Sequence, residues 1–354
     1  MQVKVEDQAA SRYLWADFVR NIGILLVILG HVSGQVLRAW KDVSYFDWMA
    51  GNIYNVIARS CVPLLFMVSG ALLLPRQESI RDFYQKRFKK VILPFLFWSV
   101  LYLVWKENGF PGVSLPVIVK GVTLTILARP TEYHLWFMYE LFGIYLLTPI
   151  FRVLVASVRQ EHLWYFVGLW FVFGPLQRIL EFLLNYEFIF DLGYLTGYIG
   201  YFVLGYLLVR IPYKKWMLWT AAFVYLASAG FTVYSTLYYT QIAGKLVDYF
   251  QNLLGINIAF LSVSAYILLK AAGDAIFSVP RPQLSKWAVS LTSASFGMYL
   301  VHVFVLTYLK RINIAPLDGP VIYMVPVTTI LTFLISWVII AILQKIPILR
   351  SLVA

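Results

Sequence analysis

Long apolar runs recur from end to end of the chain, each closed by a short polar segment. The pattern predicts ten membrane-crossing helices, over residues 18–38, 53–74, 91–106, 136–156, 162–180, 189–210, 215–239, 253–271, 288–309 and 321–345. Most of these runs have the roughly 20 apolar residues that a helix needs to cross a bilayer core; the third and fifth are short. The stretch 114–128 is shorter still and more polar, and reads as interfacial or re-entrant. Pro111, Gly112, Pro116 and Pro130 punctuate it. The shorter, alternating segments of a β-barrel are not seen. The expected fold class is therefore all-α, a polytopic transmembrane helix bundle. It is expected to have one membrane domain (18–345) between an N-terminal segment (1–17) and a C-terminal tail (346–354).

Composition sharpens this picture. Of 354 residues, 61% are hydrophobic and only 13% charged, against about 25% charged in a soluble domain. The mean hydropathy of +0.75 excludes a soluble domain with a single anchor. The net charge of +12 would suggest nucleic acid in a soluble protein. Here it fits the Lys and Arg that hold cytoplasmic loops in place, and no nucleic-acid module is visible. Cys61 is the one cysteine, so neither an internal disulfide nor a cysteine-based zinc cluster is expected. The first run lacks a small-residue cleavage site and reads as a retained signal-anchor helix.

Orientation follows from the basic residues. The loop 75–90 carries Arg76, Arg81, Lys86, Arg87, Lys89 and Lys90 and is expected to face the cytoplasm. With ten spans both termini then do so too. Twice as many Lys and Arg fall on that side as on the other.

Several polar residues lie where a membrane span makes them costly. Arg20 and His31 stand eleven residues apart in the first span. Eleven residues return to within about 20° of one direction and rise roughly 16 Å, so one face carries a cation near one surface and an imidazole about half a bilayer away. Asp17 shares that face with Arg20. The pair reads either as an interfacial ion pair or as a lure for a phosphate-bearing donor, which Arg can grip with two parallel bonds. His31 reads either as a helix–helix partner or as a general base near neutral pH.

Arg59 lies about six residues inside the second span, too deep for an edge residue, and needs an anionic partner or a polar cavity. Pro63 frees a backbone carbonyl and Gly70 allows close helix packing. His134 and Trp136 open the fourth span, as interfacial belt residues or as part of a site. Glu140, a turn or so deeper, would neutralise Arg59 or orient a histidine. His302 in the ninth span lies at a similar depth. By depth alone His31, Arg59, Glu140 and His302 fall into one layer, toward the external half. Cys61 reads as packing or, less simply, as an acyl-thioester site, and His162 as a loop-edge residue. The scattered histidines predict no metal site. No Gly-x-Ser-x-Gly elbow, P-loop or dinucleotide fingerprint occurs.

Four segments carry a resemblance. They are Asp17-x-x-Arg20-x10-His31, Pro63-Leu-Leu-Phe-Met-Val-Ser-Gly70, His134-Leu-Trp-Phe137 and Ser295-Phe-Gly-Met-Tyr-Leu-Val-His302. In this order they resemble the membrane acyltransferase-3 family, and within it the bacterial cell-surface polysaccharide O-acetyltransferases, such as those of enterobacterial common antigen. The resemblance implies ten core helices in the bacterial inner membrane, acyl-CoA (most simply acetyl-CoA) as donor substrate with no tightly bound cofactor, and a glycan or lipid-linked saccharide hydroxyl as acceptor. It carries over Arg20 and His31 as essential residues, and Arg59, His134 and His302 beside them.

Together these readings assign catalysis to His31, Glu140 and His302, and substrate stabilisation to Arg59, His134 and Trp136. Asp17, Arg20, Arg87, Lys89 and Lys90 are expected to bind acyl-CoA. The rival expectation is a transporter or flippase for a lipid-linked saccharide, although the inverted repeats common in transporters are not detected. A structural scaffold would leave the polar layer unexplained.

Overall fold

A computed structural model describes residues 2–353 apart from 190, 191, 194 and 195, with side chains from residue 14 onward. Among the described residues there is no strand. Among the same residues, nine helices are long and apolar enough to cross a membrane. The hub is α1 (Gln2–Arg38), which packs against α2 (Tyr45–Ala58), α3 (Cys61–Leu73), α12 (Ile256–Phe277), α13 (Pro282–Arg311) and α14 (Val321–Leu343). Arg20 and His31 therefore sit on the helix with the most neighbours.

The second span is one crossing in two pieces, α2 and α3, broken at Arg59 and Ser60. Pro63 has no N–H to return to the carbonyl of Arg59, so the helical ladder is interrupted there. Two further prolines widen helices instead of breaking them. Between α4 (Ile80–Arg87) and α5 (Leu93–Lys106), residues Phe88–Ile92 form a π-turn just before Pro94. Leu93 N–H reaches back five residues to the Phe88 carbonyl, and such single-turn bulges concentrate at functional sites. Another π-turn, Val172–Leu176, contains Pro175 and joins α8 (Gln160–Phe171) to α9 (Gln177–Leu184).

The sixth expected span, 189–210, differs from the structure. Its helix, α10, covers only Ile199–Leu208, and part of its expected first half lies outside the described residues. Ten residues rise about 15 Å, half a bilayer core. Every residue of α10 is buried, because α10 sits inside the bundle against α3. A Cβ on Gly70 would fall 1.7 Å from the Phe202 carbonyl oxygen, and one on Gly205 would fall 2.0 Å from that of Met67. Only glycine permits two backbones to approach so closely. The ambiguous stretch 114–128 forms α6 (Leu115–Ala128), which buries none of its residues. The remaining helices are α7 (Trp136–Ser157), α11 (Lys215–Ala243) and the short α15 (Pro347–Arg350).

The C-terminal segment is not a free tail. Val353 is 1% exposed and its carbonyl oxygen would lie 2.4 Å from a Cβ on Gly297, so the segment packs back onto α13. At the same end of the bundle, Arg152 of α7 donates through Nε to the last-turn carbonyl of Leu73 at 2.9 Å and through Nη2 to Glu78 at 2.8 Å. Lys86 donates to the other oxygen of Glu78 at 2.6 Å. Burial works against the Glu78 charge, but these two donors hold its carboxyl down at about 2.

Candidate functional site

Three imidazoles meet near one end of α1. The rings of His31 and His302 stack with centroids 5.2 Å apart, and His134 stands 4.9 Å from His302 and 6.4 Å from His31. They arrive on three different helical segments, α1, the 3-10 turn Tyr133–Leu135 and α13. That turn is held by an ion pair of 3.0 Å between Lys106 and the buried Glu132. Glu132 also caps it by accepting from Tyr133 N–H at 3.1 Å.

His302 is fully buried. Its Nδ1 lies 2.7 Å from the Tyr299 carbonyl. A carbonyl only accepts, so Nδ1 carries the proton and Nε2 keeps its lone pair. That Nε2 is buried without a partner, and both His134 ring nitrogens are too, apart from a loose approach of His134 to the Leu300 carbonyl. Tyr299 in turn donates its hydroxyl to the His134 carbonyl. Buried polar atoms without partners are costly, and they mark a site prepared for another molecule. No group of three or more His, Cys, Asp or Glu among the described residues is arranged to hold a metal ion.

Arg59 reaches the same place from the break between α2 and α3. No carboxylate among the described residues forms an ion pair with it. Nε donates to Asn55 Oδ1 at 2.8 Å and Nη2 to Gln251 Oε1 at 2.9 Å. Gln251 is fixed by donating to Asn52 Oδ1 at 3.0 Å, and Asn55 by donating to Ser33 Oγ at 3.0 Å. Amides thus orient the guanidinium without cancelling its charge, and Nη1 has no hydrogen-bond partner among the described residues.

His31, Arg59, Cys61, His134 and Trp136 line one chamber of about 110 Å³, closed elsewhere by apolar side chains including Leu65, Phe137 and Leu253. Its walls hold a fixed cation and two imidazoles in largely apolar surroundings. Such a chamber can accept a proton from a hydroxyl and stabilise a developing oxyanion. His302 lies directly behind, against both imidazoles.

On the other side of the chamber lies a cavity of about 1120 Å³ lined by Arg20, Arg87, Lys89, Lys90, Lys345 and Arg350, with no Asp or Glu among its described lining residues. The π-turn places Lys89 and Lys90 on it, and α15 with the residue after it supplies the Arg350 and Ser351 wall. The chamber and this basic cavity share three lining residues, Leu65, Phe137 and Tyr299. Those side chains form the partition between them.

The expected residues sort as follows. His31, Arg59, His134 and Trp136 line the chamber, with His302 behind. Arg20, Arg87, Lys89 and Lys90 line the basic cavity. Asp17 lines neither space and stands 4.0 Å from Arg20, a loose pair that leaves the guanidinium available. Glu140 is not brought to the histidines. It is exposed on α7 and makes no hydrogen bond or ion pair among the described residues. Of the two tasks expected of it, orienting a histidine falls to the Tyr299 carbonyl, which holds His302, while Arg59 is oriented by amides and keeps its charge. Sequence reading missed Gln251 and assigned no role to Asn55, Tyr299 or the Leu65–Phe137 partition. The signal for Leu65, Phe137 and Tyr299 was present, because all three lie inside the motif segments.

Comparison with known proteins follows the same outline. The family model described as "Acyltransferase domain", acyltransferase-3, matches residues 13–341. Nodulation protein NolL of Sinorhizobium fredii (strain NBRC 101917 / NGR234) is 29% identical over 147 residues, covering 40% of this chain and 37% of that protein. Inner membrane-spanning protein YciB of Salmonella arizonae is 24% identical over 154 residues, covering 43% of this chain and 75% of that one. The chain thus spans little more than a third of the NolL sequence. No solved structure matches.

Proposed function

The chain belongs to the acyltransferase-3 family, and from that premise we propose that it transfers an acyl group, most simply acetyl, from acyl-CoA to a hydroxyl of a cell-surface or lipid-linked glycan. The observation that carries this reading is the partition. A cavity walled by six cations and a chamber of imidazoles and one arginine meet at Leu65, Phe137 and Tyr299. The first suits the phosphates of CoA, for which Arg offers a bidentate grip. The second suits the chemistry.

In this reading the basic end faces the cytoplasm of a bacterial inner membrane, as the positive-inside rule expects. Arg20, Arg87, Lys89 and Lys90 hold the donor's phosphates, and the thioester arm passes the partition into the chamber. His31 accepts the proton of the acceptor hydroxyl as its oxygen attacks the thioester carbon. Arg59 stabilises the oxyanion of the tetrahedral intermediate. Collapse breaks the carbon–sulfur bond, and the proton on His31 passes to the departing CoA thiolate. The products are an ester and CoA-SH. His302, behind His31, is a positioning residue. No role remains for Glu140 in this scheme. The bacterial surface-polysaccharide O-acetyltransferases, enterobacterial common antigen O-acetyltransferase among them, perform this reaction type and are the subfamily favoured by the motif segments.

A saccharide flippase is the less supported reading. About 110 Å³ falls below the roughly 300 Å³ at which pockets begin to enclose small ligands. The chamber admits an acyl end and one hydroxyl, not a sugar ring in transit. The test is mass spectrometry of acceptor glycan after incubation with purified protein and acetyl-CoA. The reading expects a gain of one acetyl group with wild type and none with His31→Ala. Equal acetylation by both proteins would refute the mechanism, and none by either would refute the activity.

A further inference from the structure

The chamber is too small for a sugar, so the acceptor must be held outside it. The chamber adjoins, across the shared wall of Arg59, Trp136 and Leu253, a groove of about 690 Å³ that also presents Tyr198, Asp248 and Tyr249. Tyr249 and Asn252 continue into a second hollow of about 520 Å³ with Arg178, Glu187 and Asn257 on its walls. Each hollow lies within the range of ligand pockets, and the two lie side by side along Tyr249 and Asn252, next to the chamber, as one path.

The chemistry of the path is that of a saccharide. Sugar rings offer apolar C–H faces, which suit the flat, partly polar rings of Tyr and Trp, and hydroxyls that both donate and accept. The path keeps hydrogen-bonding capacity of both kinds unused. The Asp248 carboxylate is exposed and bonded to nothing among the described residues. Asn252 spends its oxygen on Leu254 N–H at 2.9 Å and keeps its amide donors. Asn257 donates to Thr232 at 2.8 Å and keeps its carbonyl oxygen.

Charge then selects among saccharides. The described lining of the path carries Arg59 and Arg178 against Glu181, Glu187 and Asp248, whereas that of the basic cavity carries six cations and no carboxylate. A lining so near charge balance offers uronates and phosphates none of the cationic grip of the basic cavity.

We infer that this path is the acceptor site, and that it takes an uncharged oligosaccharide segment of two or more rings, with any phosphate-bearing lipid anchor lying off it. The inference rests on the acyl-transfer reading for its purpose and on the geometry for its place. The test is saturation-transfer NMR on the full chain in lipid nanodiscs. The probes are the β-1,4 trimer of N-acetylglucosamine and the trimer of galacturonic acid. The neutral trimer is expected to take up saturation and the uronate at least fivefold less. Tyr249→Ala and Asp248→Ala are each expected to weaken the neutral signal at least fivefold. Asp248 is exposed, so its variant folds even if loss of the Tyr249 ring disturbs the loop. Absence of signal from the neutral trimer, equal signal from the uronate, or wild-type signal in Asp248→Ala would overturn the proposal. The readout needs no turnover. A protein that passes saturation to the neutral trimer but acetylates nothing would sink the acyl-transfer reading and leave the groove standing.

Discussion

At the scale of single residues, the arrangement assigns separate tasks to two residues that share one helix face. His31 touches the chamber, so His31→Ala is expected to lower transfer by 10²–10⁴-fold, the usual contribution of a general base. The side chain makes no hydrogen bond among the described residues, so the melting temperature should change by only a few degrees; a collapse of the fold would show that its role is structural. Arg20 lines only the distant basic cavity. Arg20→Ala is therefore expected to raise the KM for acetyl-CoA about tenfold or more while leaving kcat within a fewfold, as steady-state kinetics would show. Arg59→Met should do the reverse and cut kcat by about 10²-fold, the scale of losing one oxyanion donor. The depths of these side chains were legible in the sequence, because a helix rises a fixed 1.5 Å per residue. Their directions were not. Depth alone placed Glu140 beside Arg59, yet it faces outward on α7. Rotation of one helix against another is set by packing, and no count along a single chain contains it.

At the scale of elements, prolines and glycines do most of the positioning. Pro63 breaks the second span at Arg59 and so delivers a guanidinium to mid-bundle. Pro94 follows a π-turn that brings Lys89 and Lys90 to the basic cavity. Both prolines were readable, but the break and the widening depend on which neighbours take up the freed carbonyls. The half-length α10 was hidden for a related reason. Ten apolar residues beside further apolar residues look like a full span until Gly70 and Gly205 bring its backbone against α3.

The partition is an element-scale device as well. Phe137→Ala should widen the passage between the two spaces, and acyl chains longer than acetyl should then gain in kcat/KM relative to acetyl in competition assays. The latch at the basic end gives a stability prediction. Glu78 ionises at about 2 in the folded chain against an ordinary 4.5. A depressed carboxylate contributes stability above its unfolded value and loses it as pH falls toward the folded one. The melting temperature of the wild type should therefore drop between about pH 4.5 and 2, and Glu78→Gln should be less stable at neutral pH and lack that part of the drop.

At the scale of the whole molecule, the bundle divides into a strongly basic end and a nearly balanced one, with a partition between. The fold class and the general course of the spans followed from apolar periodicity, because a lipid-facing helix must be apolar along its whole length. The cavities did not follow, because they are spaces between helices distant in sequence. The basic cavity alone takes residues from α1, the π-turn, α13 and the C-terminal segment.

The central claim is that acyl transfer runs across this partition, from one face of the membrane to the other. Sealed proteoliposomes of uniform orientation test it most directly, with acceptor oligosaccharide enclosed on the histidine side and labelled acetyl-CoA supplied only on the basic side. The account predicts labelled ester inside the vesicles, with CoA released outside and no label transferred by His31→Ala. Transfer that occurs only when donor and acceptor share one side would contradict it.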